Sequence, residues 1–123
     1  MRPIARSDGT TDLALAPELF HDNFCADVPE AQAARMAVTQ RPATQEALTE
    51  PSGDDPLWKK VPSWFVLGEK DRNLPAALHR FLAERAGARR TVEIPGASHA
   101  ISVSQPEATA EVILEAAALQ AAA

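Results

Sequence analysis

The sequence has few of the features that mark several specialised protein classes. Its single cysteine, Cys25, cannot form an intrachain disulfide, which fits a reducing compartment. A net charge of -5 gives no electrostatic reason to expect nucleic acid or an anionic membrane as a partner. No run approaches the roughly 18 apolar residues that span a bilayer, and residues 1–10 lack the apolar segment of a secretory signal. We therefore expect a cytoplasmic protein that binds neither nucleic acid nor membrane.

The first half of the chain shows weak secondary-structure signals. Residues 1–26 have little periodicity, and we predict irregular structure there. Asp27-Val28-Pro29-Glu30 combines a capping acid with a first-turn proline, which predicts a helix to about Gln40. The stretch 41–62 holds four prolines, so we expect at most one short helix there, near 44–49.

The second half is far more regular and predicts an α/β fold. The apolar run that ends at Gly68 predicts a strand over 63–68, buried on both faces. Apolar residues at helical spacing predict a helix near 75–86, and alternation predicts a second strand over 90–94. A capping box at Ser104-Gln105-Pro106-Glu107 predicts a helix over 105–119. This order of elements requires adjacent parallel strands with flanking helices.

Two strands are too few for a stable parallel sheet. Parallel sheets carry helices on both faces, and isolated pairs of strands are marginal in water. The sequence therefore predicts part of a larger fold.

Two loops carry the candidate catalytic residues. Asp71 follows the first predicted strand and His99 follows the second, at the strand ends where ligands collect in open α/β sheets. An imidazole can move a proton near neutral pH, and a carboxylate on its other nitrogen fixes its tautomer. Each residue also has a structural interpretation, since a loop aspartate often caps a turn and a lone histidine is more often structural than catalytic.

The residues around both loops resemble those of the α/β-hydrolase family. Val61 to Pro75 resembles the family's penultimate strand and its acid loop, with a Gly-x-x-Asp turn and a proline shortly after. Val92 to Ala100 resembles the final strand and the catalytic-histidine loop, and the helix after Ser104 matches the closing helix. The resemblance implies that Asp71 is the triad acid and His99 the general base.

The nucleophile of such a triad is missing from this chain. The family's chain order places it N-terminal to the acid, in Gly-x-Ser-x-Gly on a strand-to-helix turn. No such motif occurs in the 123 residues. Gly96-Ala97-Ser98-His99-Ala100 fits a relaxed version of the motif, but the predicted helix begins too late for Ser98 to open it.

The resemblance also divides the chain. It implies a partial cap, or lid, over residues 1–60, mostly helical and loop, and a C-terminal part of the hydrolase core over 61–123. Cap residues shape the substrate pocket in this family, although packing against the core explains each of them equally well. The candidate pocket residues are Leu19, Phe20, Phe24, Met36 and Trp58.

We expect neither a metal nor a cofactor. His21, Cys25 and Asp27 offer ligand chemistry, but no fourth ligand follows at a suitable spacing. The adjacent acids Asp54 and Asp55 lie in a loop rich in proline and glycine, where such residues are usually solvated.

Two functions from different classes are consistent with these observations. The first is a hydrolase of a carboxylic ester or a related small molecule, in which Asp71 and His99 serve a nucleophile outside the chain. The second is a non-catalytic truncated half-domain, or a subunit that needs an N-terminal partner or a second copy of itself.

Overall fold

The computed structural model describes the backbone of residues 1–121 and the side chains of residues 1–118. Its elements in chain order are β1 (Arg2–Ala5), β2 (Thr11–Ala14), α1 (Pro17–Phe24), α2 (Glu30–Thr39), β3 (Ala43–Thr44), α3 (Gln45–Thr49), a 3-10 turn (Leu57–Lys59), β4 (Trp64–Gly68), α4 (Ala76–Arg85), β5 (Arg90–Ile94), α5 (Ile101–Ser104) and α6 (Pro106–Ala121).

The second half of the chain forms the predicted β/α unit. Strands β4 and β5 pair in parallel, in a register that runs from Trp64 opposite Arg90 to Gly68 opposite Ile94. Helix α4 connects them and ends where Gly87 takes a φ of 59°, a left-handed conformation that glycine adopts without a steric penalty. The adjacent parallel strands and the two long helices are confirmed.

The N-terminal segment is more ordered than we predicted. Strands β1, β2 and β3 form an antiparallel sheet, and α1 packs against α2. The prediction of irregular structure over 1–26 was wrong because the usual signals are absent there. All four residues of β1 are exposed, so β1 shows no alternation of buried and exposed residues, and α1 begins after Ala16 with no side-chain cap.

The helix predicted after Asp27 is confirmed as α2, but Asp27 does not cap it. The residue at the cap position is Pro29, and no side chain caps the helix. Helix α3 is confirmed, and there the hydroxyl of Thr44 does cap, accepting the Ala47 N–H at 3.3 Å. The 3-10 turn at Leu57–Lys59 adds a short helical element that the prolines led us to exclude.

The segment before the last helix also departs from the prediction. We expected the capping box at Ser104 to begin the last helix, whereas a separate short helix, α5, occupies Ile101–Ser104. The Ser104 hydroxyl lies 3.4 Å from the Ala100 carbonyl, one turn back in α5, and the last helix begins at Pro106. A helix of four residues is too short to leave a periodic signal.

A buried hydrophobic cluster joins the N-terminal helices to the loop that follows β5. It contains Phe20, Cys25, Val28, Ala33, Ala37 and Ala100. Strand β4 is less covered than predicted, since only Leu67 and Gly68 are buried and its first three residues are half-buried. Large apolar side chains such as Ile113 and Leu114 are exposed on α6. Among the described residues, no helix has the length and apolarity needed to cross a membrane.

Candidate active site

The site lies where β4 and β5 end, at the same edge of the parallel sheet. Asp71 follows three residues after Gly68, and His99 follows five residues after Ile94. Backbone hydrogen bonds join the two loops, since the Lys70 N–H donates to the Ala97 carbonyl at 2.9 Å. The loops therefore lie side by side, as parallel strands require.

Gly68 is needed for this close approach. A Cβ at position 68 would collide with the backbone carbonyl oxygens of Ala97 and Ser98. Only a residue without a side chain lets the histidine loop pass over the end of β4.

Asp71 and His99 are in direct contact. Nδ1 of His99 lies 2.6 Å from Oδ2 of Asp71, whose side chain is 2% exposed. The other carboxylate oxygen, Oδ1, accepts the N–H groups of Asn73 and Leu74 at 2.8 and 2.9 Å. The two predicted site residues thus lie within hydrogen-bond reach, and the backbone fixes the carboxylate.

The surroundings of Asp71 keep it ionised. Burial raises the pKa of its carboxyl, but the hydrogen bonds from Leu74, His99, His79 and Asn73 outweigh burial and hold the pKa below its ordinary value. An ionised carboxylate only accepts hydrogen bonds, so Nδ1 of His99 carries the proton. In the neutral ring the Nε2 of His99 is then free to accept a proton.

A third side chain, which the sequence analysis missed, completes the cluster. Nε2 of His79 lies 3.0 Å from the same Oδ2 of Asp71. His79 lies in the first part of α4, and it is not one of the apolar residues whose spacing predicted that helix. The only available signal was its position shortly after an acid loop that leads into the helix.

Among the described residues, Asp71, His79 and His99 form a group whose side chains could hold a metal ion. Their ligand atoms all lie within 4.8 Å of one another. Two zinc ligands at bond lengths of about 2.0–2.1 Å are separated by roughly 3.3 Å in a tetrahedral site. The Nδ1–Oδ2 distance of 2.6 Å between His99 and Asp71 is shorter. The geometry is therefore that of hydrogen bonds.

The residues first considered as metal ligands have other partners. Nε2 of His21 lies 2.8 Å from the Val28 carbonyl oxygen, and Asp27 bonds the Ser98 hydroxyl. Burial, and then the charge of Asp27, raise the pKa of the Cys25 thiol, which disfavours the thiolate that metals bind.

Ser98 is held in the wrong place for a nucleophile. The residue is buried, and its hydroxyl contacts the Phe24 carbonyl at 3.3 Å and the Asp27 carboxylate. Burial acts to raise the pKa of Asp27, but hydrogen bonds from Ser98 and Ser104 lower it overall. Ser98 therefore links the histidine loop to the turn between α1 and α2.

An apolar cavity of about 430 Å³ lies near the Asp71–His99 pair. The ring centroid of Phe24, which lines it, is 4.9 Å from that of His99. Three of the five candidate pocket residues line this cavity, namely Phe20, Phe24 and Met36. Leu19 is exposed, and Trp58 lines a separate cavity beside Phe65. The position of the cavity suits a substrate pocket beside His99.

Comparisons with known proteins agree with this architecture. Two similar solved structures are a crystal structure of polyneuridine aldehyde esterase, with a TM-score of 0.75 and 16% identity, and a structure of its histidine-to-alanine mutant, with 0.74 and 15%. Each alignment covers 93% of this chain and 46% of the other, so the chain spans less than half the length of these structures. At such identities the likeness concerns the fold.

A search of the curated proteins found no match. A family model described as the alpha/beta hydrolase family matches residues 1–112, which is most of the chain. The chain therefore belongs to the alpha/beta hydrolase family.

Proposed function

We propose that the chain supplies the acid and the general base of a hydrolase triad, Asp71 and His99. The proposed substrate is a carboxylic ester or a related small molecule. The observation that carries the proposal is the 2.6 Å contact between Oδ2 of Asp71 and Nδ1 of His99, at the carboxyl ends of adjacent parallel strands.

The chemistry follows from the protonation states of this pair. Nε2 of His99 takes the proton of a nucleophile as that nucleophile attacks the acyl carbon, and then returns it to the leaving alcohol. Asp71 holds the tautomer and stabilises the imidazolium that forms. Water, activated by the same nitrogen, releases the acid.

The nucleophile of this reaction comes from outside the 123 residues. None of the six serines follows a strand on a sharp turn before Asp71. Ser63, the nearest of them to Asp71 on its N-terminal side, precedes β4. The ester substrate class is an analogy with the esterase of similar fold and with the family as a whole.

We further propose that residues 1–60 form part of a cap and residues 61–123 the C-terminal part of the core. The apolar cavity beside Phe24 supports this division, since residues of the first segment line most of it. A cavity of this size is in the range of small-molecule sites.

A second candidate function is a non-catalytic subunit that needs a partner. Among the described residues β4 pairs with β5 alone, and its Trp64 and Phe65 are only half-buried. An unpaired strand edge beside apolar surface favours association. The partner would be an N-terminal half of the core or a second copy of the chain.

Ester turnover separates the two candidates. The sample is a polypeptide that joins this chain to the sequence encoded immediately upstream of Met1, assayed with p-nitrophenyl acetate and butyrate. We expect turnover that falls by about 10³-fold or more in His99→Ala. The control, His21→Gln, keeps an amide donor near the Val28 carbonyl and should retain activity.

Two results would contradict the first candidate. Turnover that survives His99→Ala would exclude a role for this histidine. A folded polypeptide without turnover on either ester would favour the non-catalytic subunit.

A further inference from the structure

Asp71 is shared by two histidines, and one of them has no part in the proposed proton transfer. His79 lies eight residues after Asp71 and approaches the same oxygen, Oδ2, as His99 does. Its side chain is 17% exposed, although its neighbours Leu78 and Arg80 are exposed. His79 therefore faces the strand edge while the residues on either side of it face solvent.

The start of α4 sets this position. Pro75 occupies the cap position, and the His79 N–H donates to the Pro75 carbonyl at 3.2 Å, in the first turn. The Asn73 and Leu74 N–H groups bind Oδ1 of Asp71 just before the helix begins. The carboxylate and the imidazole are thus attached to the same short stretch of backbone.

A count of donors assigns a protonation state to His79. Oδ1 of Asp71 accepts two backbone N–H groups, and Oδ2 faces one nitrogen from each histidine. Because the ionised carboxylate only accepts, Nε2 of His79 and Nδ1 of His99 must both be donors. The four donors satisfy the carboxylate, whose side chain is almost fully buried.

We propose that His79 is a positioning residue of the Asp71–His99 pair: its Nε2–H holds Oδ2 of Asp71 in place, so that this oxygen stays turned toward Nδ1 of His99. The inference rests on the proposed function only for its catalytic consequence. The hydrogen bonds themselves can be measured in the chain whether or not it hydrolyses an ester.

The contact acts in two ways. It opposes rotation of the carboxylate, which would exchange the two oxygens and lengthen the bond to His99. It also adds one of the hydrogen bonds that keep the Asp71 pKa low, so that Asp71 does not take the proton from Nδ1 of His99. A bond that merely fastened α4 to the loop would contribute to the stability of the fold, and its loss would leave the tautomer of His99 unchanged.

The test is NMR spectroscopy of the full chain, labelled with ¹⁵N histidine and ¹³C aspartate. Long-range ¹H–¹⁵N spectra identify which ring nitrogen of His79 and of His99 carries the proton. We expect Nε2–H for His79, Nδ1–H for His99, and a downfield resonance from the His99 Nδ1–H. A His79 ring protonated on Nδ1 alone would overturn the proposal without any variant.

Two substitutions separate positioning from tethering. His79→Phe keeps a ring but removes the donor, and His79→Gln offers an amide donor in its place. We expect His79→Phe to weaken or abolish the downfield resonance, to move part of the His99 population to the Nε2–H tautomer, and to raise the pKa of Asp71. His79→Gln should restore both signals at least in part, and His21→Gln should leave them unchanged.

The contrary result is equally specific. If His79→Phe lowers the unfolding temperature but leaves the His99 tautomer and the Asp71 titration as they are in the unsubstituted chain, His79 is a structural tether and the proposal is wrong. Loss of ester turnover would not affect this conclusion, because neither readout requires a nucleophile.

Discussion

The Ser98 hydroxyl donates a hydrogen bond to the carboxylate of Asp27, 71 residues earlier in the sequence. A backbone bond runs beside it, from the Ala100 N–H to the Phe24 carbonyl at 3.0 Å. Both contacts flank His99 and join its loop to the turn between α1 and α2. The position of His99 therefore depends on the N-terminal segment as well as on β5.

Replacement of Ser98 should loosen this junction. We expect Ser98→Ala to lower the free energy of unfolding by about 1 kcal/mol, because the buried hydroxyl is lost and the Asp27 carboxylate loses a donor. Urea unfolding measures the change. Ser102→Ala is the matched control, since Ser102 is exposed and should change stability by less than about 0.5 kcal/mol. Equal effects in the two variants would show that the Ser98 contact contributes nothing.

A methyl group at Gly68 should be far more damaging. Gly68→Ala places a Cβ against the backbone carbonyls of Ala97 and Ser98, so the histidine loop must move. We expect a loss of about 3 kcal/mol or more, at or beyond the upper end of what overpacking costs elsewhere. Gly53→Ala is a control in open space, where the positive φ alone should cost about 1 kcal/mol. A Gly68→Ala chain as stable as Gly53→Ala would contradict the close approach of the two loops.

Asp71 should contribute to the acid sensitivity of the fold. Its folded pKa lies below the ordinary value of 3.8, so its stabilising effect is complete above that value and is lost as the pH falls through the lower folded pKa. We expect the urea midpoint to fall less steeply below pH 4 in Asp71→Asn than in the unsubstituted chain. Asp54→Asn, at an exposed position, should follow the unsubstituted chain. If the urea midpoints of Asp71→Asn and of the unsubstituted chain fall equally steeply below pH 4, the pKa of Asp71 is not depressed.

The 123-residue chain alone should show no triad-dependent ester turnover. His99 is the proposed base, but the chain offers it no elbow serine to deprotonate, since Ser98 is bound to Asp27 and lies beside the histidine in the loop. The measurement compares p-nitrophenyl ester hydrolysis by the chain, by His99→Ala and by an alanine variant of each serine. Robust turnover that both His99→Ala and one serine variant abolish would reveal a nucleophile within the chain.

The sequence was informative where apolar residues recur at a regular spacing. Strand β5 and helix α4 follow apolar spacings that only one type of secondary structure explains, and Gly68 and Gly87 mark the ends of β4 and α4. These elements also fix the strand edge, so the meeting of Asp71 with His99 could be foreseen from topology and from family resemblance.

Other features left no local signal. Strand β1 is fully exposed and forms only because it pairs with β2, so pairing rather than composition determines it. Asp27 was predicted as a helix cap, but the folded chain brings Ser98 to it, a contact that no local pattern encodes. The contact of His79 with Asp71 depends on the direction in which α4 leaves its loop, which periodicity does not specify.

The central claim is that Asp71 and His99 act as one unit in hydrolysis. The most direct measurement is kcat/KM for p-nitrophenyl butyrate in the joined polypeptide, for Asp71→Ala, His99→Ala and the double variant. Residues that act as a unit are non-additive, so we predict that the double variant is about as slow as His99→Ala alone, with losses of about 10³-fold or more. Fold-losses that multiply in the double variant, or an Asp71→Ala enzyme as fast as the unsubstituted one, would contradict the account.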